Sequence, residues 1–486
     1  MATTELPVGP PDTSWETLGN PYLAGLYAPV REERTDERLE VIGELPPGLD
    51  GVFLRNGPNP RLDPVGRYHW FDGDGMVHAV RFRDGTATYR NRWVRTRGFG
   101  SEDGADSALF NGVMENPSAN PRLGLRLPLK DSANTDLVYF RDRVIALWYL
   151  AGEPYALDPV TVDTIGVDDF AGTRTCQVSA HAKVDEATGE LMFFDYGPTP
   201  PYMRYGVVGP DGAVSHLVDI DLPGPRLPHD MAVTEHHSIL MDLPLVADPV
   251  AARQGRHKIM FDNSMPSRFG VIPRHGAGSE IRWFEADPCY VYHSVNAWEE
   301  DDEIVLDLCR VTKPAPRGDA VGPLAKMLSY LRLDAHLYRY RFNLRTGAVI
   351  EQQLDDDNTE FPTMDARKLG RPTRVAYNMR ISDEPTLLFD GIVKYDTRSG
   401  ATDRHWFGAG RWGSEAPFAP RPGGTAEDDG WLVSFVHDES EDRSEVVVLD
   451  AADLAAGPVA RVLLPARVPI GFHATWVRGD QLPADR

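Results

Sequence analysis

Cysteine is scarce in this chain. Cys176, Cys289 and Cys309 are its only three, odd in number and without CxxC spacing, which excludes a disulfide framework and a thiolate zinc site. Positive charge is also short. Fifty Lys and Arg face 73 Asp and Glu, for a net charge of −23 with no basic stripe, so a nucleic-acid partner is not expected. Long apolar runs are missing too. The longest, around residues 144–151, is too short to span a bilayer. Residues 1–20 are polar and proline-bearing, without the basic and then apolar pattern of a secretory signal. No GxGxxG lies between a strand and a helix, so no nicotinamide site is expected. A soluble, cytoplasmic protein fits these absences.

What the chain has in quantity is short strands. At 486 residues its length suggests two or three domains, although all-β architectures also run this long as one unit. Runs such as Glu190–Tyr196, Glu303–Val311 and Trp431–Val436 are β-branched and aromatic, separated by Gly, Pro and Asp turns. Strand, polar turn and strand recur around Asn343, Asp396 and Asp450, which stand 53 and 54 residues apart. Asp158 and Asp185 head similar turns off that register. Such a repeat fits propeller blades, and equally the hairpins of a β-sandwich.

The stretch CYVYHSVNAWEE, beginning at Cys289, alternates like a strand and puts His293 on one face with Val291 and Val295. An imidazole there is either a core histidine bonded to a carbonyl or a metal ligand. His181, His229 and His473 raise the same question, at separations of 48, 64 and 180 residues. Those distances exclude a zinc finger or an HExxH helix. The four can meet only where a fold gathers remote strands around one axis. The pattern does not single them out among 14 histidines, since "EHH" at Glu235–His237 is as tempting.

Several motifs, in order, are more specific. They include GVFLRNGPNP (Gly51–Pro60), HWFDGDGMVHAVRF (His69–Phe82), SANTDLV (Ser132–Val138) and PYALDPVT (Pro154–Thr161). SAHAKVD, PHDMAVT, HSVNAWE, EFPTMD, EDDGWLVSFV and VPIGFHATW follow. From about Leu39 to Val477 the sequence resembles the carotenoid cleavage oxygenase family, bacterial-type, which also contains retinal-pigment-epithelium isomerases and stilbene-cleaving dioxygenases. The resemblance implies an all-β, seven-bladed β-propeller spanning residues 1–486 as one domain. It implies an N-terminal arm over 1–25 and a loop and helix dome from about 98–133 and 314–335.

By that resemblance one Fe(2+) sits on His181, His229, His293 and His473, and O2 is the co-substrate. Glu360 and Glu415 match two of the family's three glutamates that support the ligands. The third position holds Leu150, and Glu153 comes three residues late, so one ligand, His229 by this reading, needs another support. Thr135 matches a threonine whose methyl crowds one coordination position. Phe71, Tyr149 and Leu150 are the expected substrate contacts. FDGDGM lacks the later acid of a calcium loop and reads as a turn beside the cavity.

The implied reaction is cleavage of a C=C bond in a carotenoid or apocarotenoid to two carbonyl products. The alternatives are a stilbene or propenylphenol substrate, and a non-catalytic propeller that binds an apolar ligand. Stilbene-cleaving members resemble one another in a lysine where this chain has Tyr149. Apolar clusters at 123–129 and 324–331 suggest weak peripheral contact with a membrane, from which an insoluble polyene would enter.

Overall fold

In the computed structural model the described residues are 19–64, 68–113, 127–247, 250, 259–312, 314, 331 and 333–483. Short antiparallel strands dominate, and six larger sheets, one of ten strands holding two blades, make a seven-bladed β-propeller. A typical blade runs Lys183–Asp185, Glu190–Tyr196, Tyr202–Val208 and Val214–Asp221, each strand paired with the next. The sixth and seventh blades are linked by the short strand Arg411–Gly413, which pairs with both Phe389–Asp396 and Gly430–Asp438.

Both ends of the described chain close the ring. Near the N-terminus Val41–Gly43 pairs with Pro458–Leu463 of the last blade. Near the C-terminus Ala474–Arg478 returns to pair with Gly51–Pro58 of the first. This closure leaves Gly51 no room for a side chain, since a Cβ there would meet the Trp476 ring at 2.3 Å.

The apolar core is divided among the contacts between neighbouring blades, as stacked sheets require. Met192, Phe194 and Tyr205 of one blade pack with Met231, Leu240 and Ile272 of the next. Val52, Leu54 and Val77 do the same with Leu137, Val144 and Leu157. A larger cluster above the axis joins Tyr22, Tyr27, Trp70 and Phe472 to Phe361 and Phe389.

The repeat around Asn343, Asp396 and Asp450 marks equivalent places. Each residue ends the third strand of its blade and begins the hairpin to the fourth. Asn343 accepts from the backbone N–H of Thr346 (2.8 Å), Asp396 from Ser399 (3.1 Å) and Asp450 from Ala452 (2.9 Å), which is how Asn and Asp stabilise turns. Asp158 occupies the corresponding turn of the second blade. Asp185 ends the first strand of its blade and heads the turn to the second, which accounts for its being off register.

The three cysteines are free thiols. No helix among the described residues is long and apolar enough to cross a membrane. The clusters expected to touch one fall mostly outside the described residues, at 123–126 and 324–330. The expected dome segments, 98–133 and 314–335, are described only in part.

Candidate metal centre

The seven innermost strands are Asp136–Phe140, Lys183–Asp185, Ala232–Val233, Tyr290–Glu300, Thr359–Thr363, Phe418–Pro420 and Ala474–Arg478. Each carries one candidate residue on itself or just before it: Thr135, His181, His229, His293, Glu360, Glu415 and His473 in turn. Positions hundreds of residues apart thus converge on the axis. The potential ligand atoms of His181, His229, His293 and His473 lie within 4.8 Å of one another. Imidazole nitrogens bind a first-row ion at ~2.1 Å, so two on opposite sides of it stand ~4.2 Å apart. A small inward movement of the four rings satisfies that.

Local structure aims each ring. His181 has a left-handed backbone, φ 67°, held where its N–H donates to Asp136 Oδ2 at 2.9 Å. His293 lies in a bulge, because the ladder from Tyr290–Glu300 to its neighbour shifts between Val291 and Ser294 and again before Asn296. The bulges overturn the strict alternation read from the sequence. Val291 and Val295 pack in two different inter-blade clusters, while His293 turns to the axis.

Two rings have firm carboxylate partners. His293 Nδ1 is 2.5 Å from Glu360 Oε2, and His473 Nδ1 is 3.2 Å from Glu415 Oε1. Donation from Nδ1–H fixes the tautomer that leaves Nε2 as the free electron pair. His181 Nδ1 stands 3.8 Å from Asp136 Oδ2, beyond hydrogen-bond distance. Among the described residues no carboxylate oxygen lies within 4.0 Å of the His229 ring, whose neighbours are Tyr292, His181 and His293. Glu153 does not fill the gap left at Leu150. It pairs with Arg97 at 3.2 Å and Arg174 at 3.7 Å, away from the axis.

The Nε2 atoms of His181 and His293 are buried without a hydrogen-bond partner. Orphaned acceptors of that kind are costly unless something binds there. Burial, followed by the mutual repulsion of the rings, holds His181, His229 and His293 well below the usual histidine range, so they are neutral near pH 7. Burial pushes the Glu360 carboxyl up to about 8. His473 is raised, although burial opposes it, because Glu415 faces its ring. Four such imidazoles and no thiolate suit a divalent first-row metal.

The histidines separate two cavities. His229, His293 and His473 floor the first, walled by Trp70, Phe71, Tyr149, Tyr292, Leu387 and Phe472, with no charged side chain. Thr135 lines it too, and its hydroxyl is engaged, donating to Asn134 Oδ1 and accepting from the Tyr149 N–H. The rings of Phe71 and Tyr149 pack with centroids 5.0 Å apart and planes tilted by 57°. Leu150, half-buried in the turn after Tyr149, is not among the lining residues. Asp72 and Asp74 serve the turn, Asp72 accepting from the His69 N–H and Asp74 pairing with Lys130.

His181, His293 and His473 border the second cavity, on the other side, lined by Asp136, Lys183, Asp230, Glu186 and Glu415. Lys183 Nζ and Asp230 Oδ1 are 2.7 Å apart. Asp136, Lys183 and Asp230 were not singled out by sequence reasoning. Their one signal is position, since each lies within two residues of His181 or His229 or directly follows Thr135. His236 and His237 lie away from the axis and share Glu299.

Known proteins resemble this chain in sequence and fold. The family model described as retinal pigment epithelial membrane protein matches residues 27–478. A carotenoid 9,10(9',10')-cleavage dioxygenase 1 of Pisum sativum is 39% identical, over 96% of this chain and 91% of that one. Among solved structures, a lignostilbene dioxygenase of Pseudomonas brassicacearum is 30% identical with a TM-score of 0.85, covering 95% of this chain and 99% of the other. The cobalt-substituted Synechocystis apocarotenoid oxygenase is 28% identical with a TM-score of 0.81, covering 93% and 97%. With the family model spanning nearly the whole propeller, the chain belongs to the retinal pigment epithelial membrane protein family, that of the carotenoid cleavage oxygenases.

Proposed function

We propose that this enzyme holds one Fe(II) on His181, His229, His293 and His473 and cleaves a C=C bond of a carotenoid or apocarotenoid with O2, giving two carbonyl products. The observation that carries the reading is the opening of the four-histidine cluster onto a cavity walled mainly by aromatic and aliphatic side chains, with no charged one. Iron bound there would supply the activation of O2, and a conjugated substrate supplies the electrons, so no separate reductant is required.

The chain's own residues position and exclude. Glu360 and Glu415 accept the outer N–H of His293 and His473 and hold those rings toward the axis. Thr135, with its hydroxyl tied to its neighbours, leaves its methyl as the bulk beside the histidines. Trp70, Phe71, Tyr292 and Phe472 keep water from the reacting bond and fix the polyene against it. No side chain is assigned as a general base.

Tyr149 favours a polyene over a hydroxystilbene. Burial pushes its hydroxyl well above the ordinary tyrosine value, so it is neutral near pH 7 and offers a phenol no counter-charge. The test is product analysis after aerobic incubation of Fe(II)-loaded protein with carotenoids, apocarotenals and stilbenes. Paired carbonyl products from a polyene support the reading. Products from stilbenes alone move the enzyme to aryl-alkenes, and binding without oxygen uptake makes it a carrier.

A further inference from the structure

The second cavity has no part in the reaction as described, yet it reaches three of the four histidines. Its volume is about 260 Å³, against about 40 Å³ for the apolar one. The two differ most in chemistry. A hydrated divalent cation crossing the first would leave its water among Trp70, Phe71, Tyr292 and Phe472 with nothing to replace it, which is prohibitively costly. In the second, Asp136, Asp230, Glu186 and Glu415 offer carboxylate oxygens, and Ser294 and Thr363 offer hydroxyls.

Its lining also includes exposed Ala366, in the turn Ala366–Lys368, and Gln481. His181 and His293, whose Nε2 atoms are buried without a partner, are among its lining residues. Lys183 is the one Lys or Arg among the lining residues. Its side chain is 18% exposed and bonds Asp230, which is 1% exposed and also accepts from the Ser294 N–H and hydroxyl.

We infer that the polar axial cavity is the port through which the metal enters and leaves the four-histidine site, with the Lys183 charge as its electrostatic gate. The inference rests on the metal-centre reading above. It separates two traffics on opposite sides of the histidines, apolar substrate through the dome cavity and hydrated cation along the propeller axis. The chain's net charge of −23 draws cations toward such an opening, and Lys183 sets the last barrier.

The test follows Co(II) uptake by metal-free protein, and its loss to excess chelator, through the cobalt absorption bands. Ala366→Trp narrows the port from its exposed rim and should slow uptake and loss together, about tenfold each, leaving the Kd unchanged. Lys183→Met, with Lys183→Gln as a second variant, should speed uptake by about tenfold at low salt, with the gain shrinking at high salt. Leu387→Trp, in the apolar cavity, should impair polyene turnover and leave cobalt kinetics unaltered. The port is refuted if Leu387→Trp slows uptake or Ala366→Trp does not. The gate is refuted if both Lys183 variants load at the wild-type rate. Cobalt that does not bind, or binds equally after His293→Ala, overturns the four-histidine reading instead.

Discussion

Replacing Glu360 by Gln changes one atom next to one ligand, and the structure says what that costs. Glu360 is fully buried on the strand Thr359–Thr363. Its Oε2 faces His293 Nδ1 at 2.5 Å and accepts the Phe361 N–H at 2.6 Å, while Oε1 is buried without a partner. Gln has the same size, so packing survives. In one orientation its NH₂ falls where Oε1 was and finds no acceptor, a loss of about 1–3 kcal/mol. In the other its NH₂ meets two N–H donors. In the first orientation His293 keeps only a neutral amide oxygen as acceptor and in the second it loses its acceptor, and weakening such a partner costs a metal site about 10–100-fold, or ~1.4–2.7 kcal/mol. The assay is competition for Co(II) against a chromophoric chelator at pH 7, with thermal unfolding of the metal-free proteins alongside. The expected result is a Kd raised within that range and a Tm little changed. An unaltered Kd in a folded Glu360→Gln protein would refute the claim that Glu360 orients a ligand.

Other outcomes follow from the same geometry. Ala at His181, His229, His293 or His473 should abolish bound iron measured by atomic absorption, whereas His236→Ala, whose ring is exposed beside Glu299, should keep about one iron per chain; the reverse pattern means the ligands are misassigned. The kcat/KM for a long apocarotenal should exceed that for a 4-hydroxystilbene, and Tyr149→Phe should keep a sizeable part of it, because the ring packed against Phe71 shapes the cavity; a stilbene preference that collapses in Tyr149→Phe contradicts this. Burial raises the Glu299 carboxyl, but hydrogen bonds from Thr234, His237 and His236 outweigh it and bring it down to about 2 from 4.5. Its folded value is depressed, so its contribution to stability is complete above about pH 4.5 and fades as pH falls toward 2. The Tm gap between wild type and Glu299→Gln should therefore narrow over that window, and a gap constant with pH counts against the assignment.

The histidines illustrate what a sequence can and cannot disclose. His293 was visible because a polar ring interrupted an apolar strand, but the reason lay in two bulges that no periodicity shows. His181 had no apolar signal at all, since its placement depends on a left-handed residue tied to Asp136 across two blades. The turns at Asn343, Asp396 and Asp450 were legible because Asx chemistry is local. The closure of the ring was not, because Val41–Gly43 and Ala474–Arg478 pair with partners hundreds of residues away. Leu150 stood out as a departure from the family's pattern, and the structure adds its neighbourhood. Among the described residues His229 has no carboxylate beside it, and Glu153 is engaged with arginines. The polar axial cavity escaped notice because its lining comes from residues on or beside all seven inner strands, far apart in the sequence.

The central claim is that four remote histidines share one metal between a dry cavity and a wet one. Anomalous diffraction at the iron edge, from crystals grown with Fe(II) under anaerobic conditions, tests it directly. The account predicts a single strong peak per chain, ~2.1 Å from a nitrogen of each of His181, His229, His293 and His473. A peak beside Glu299 and His236, or an axis without one in iron-replete crystals, would contradict it.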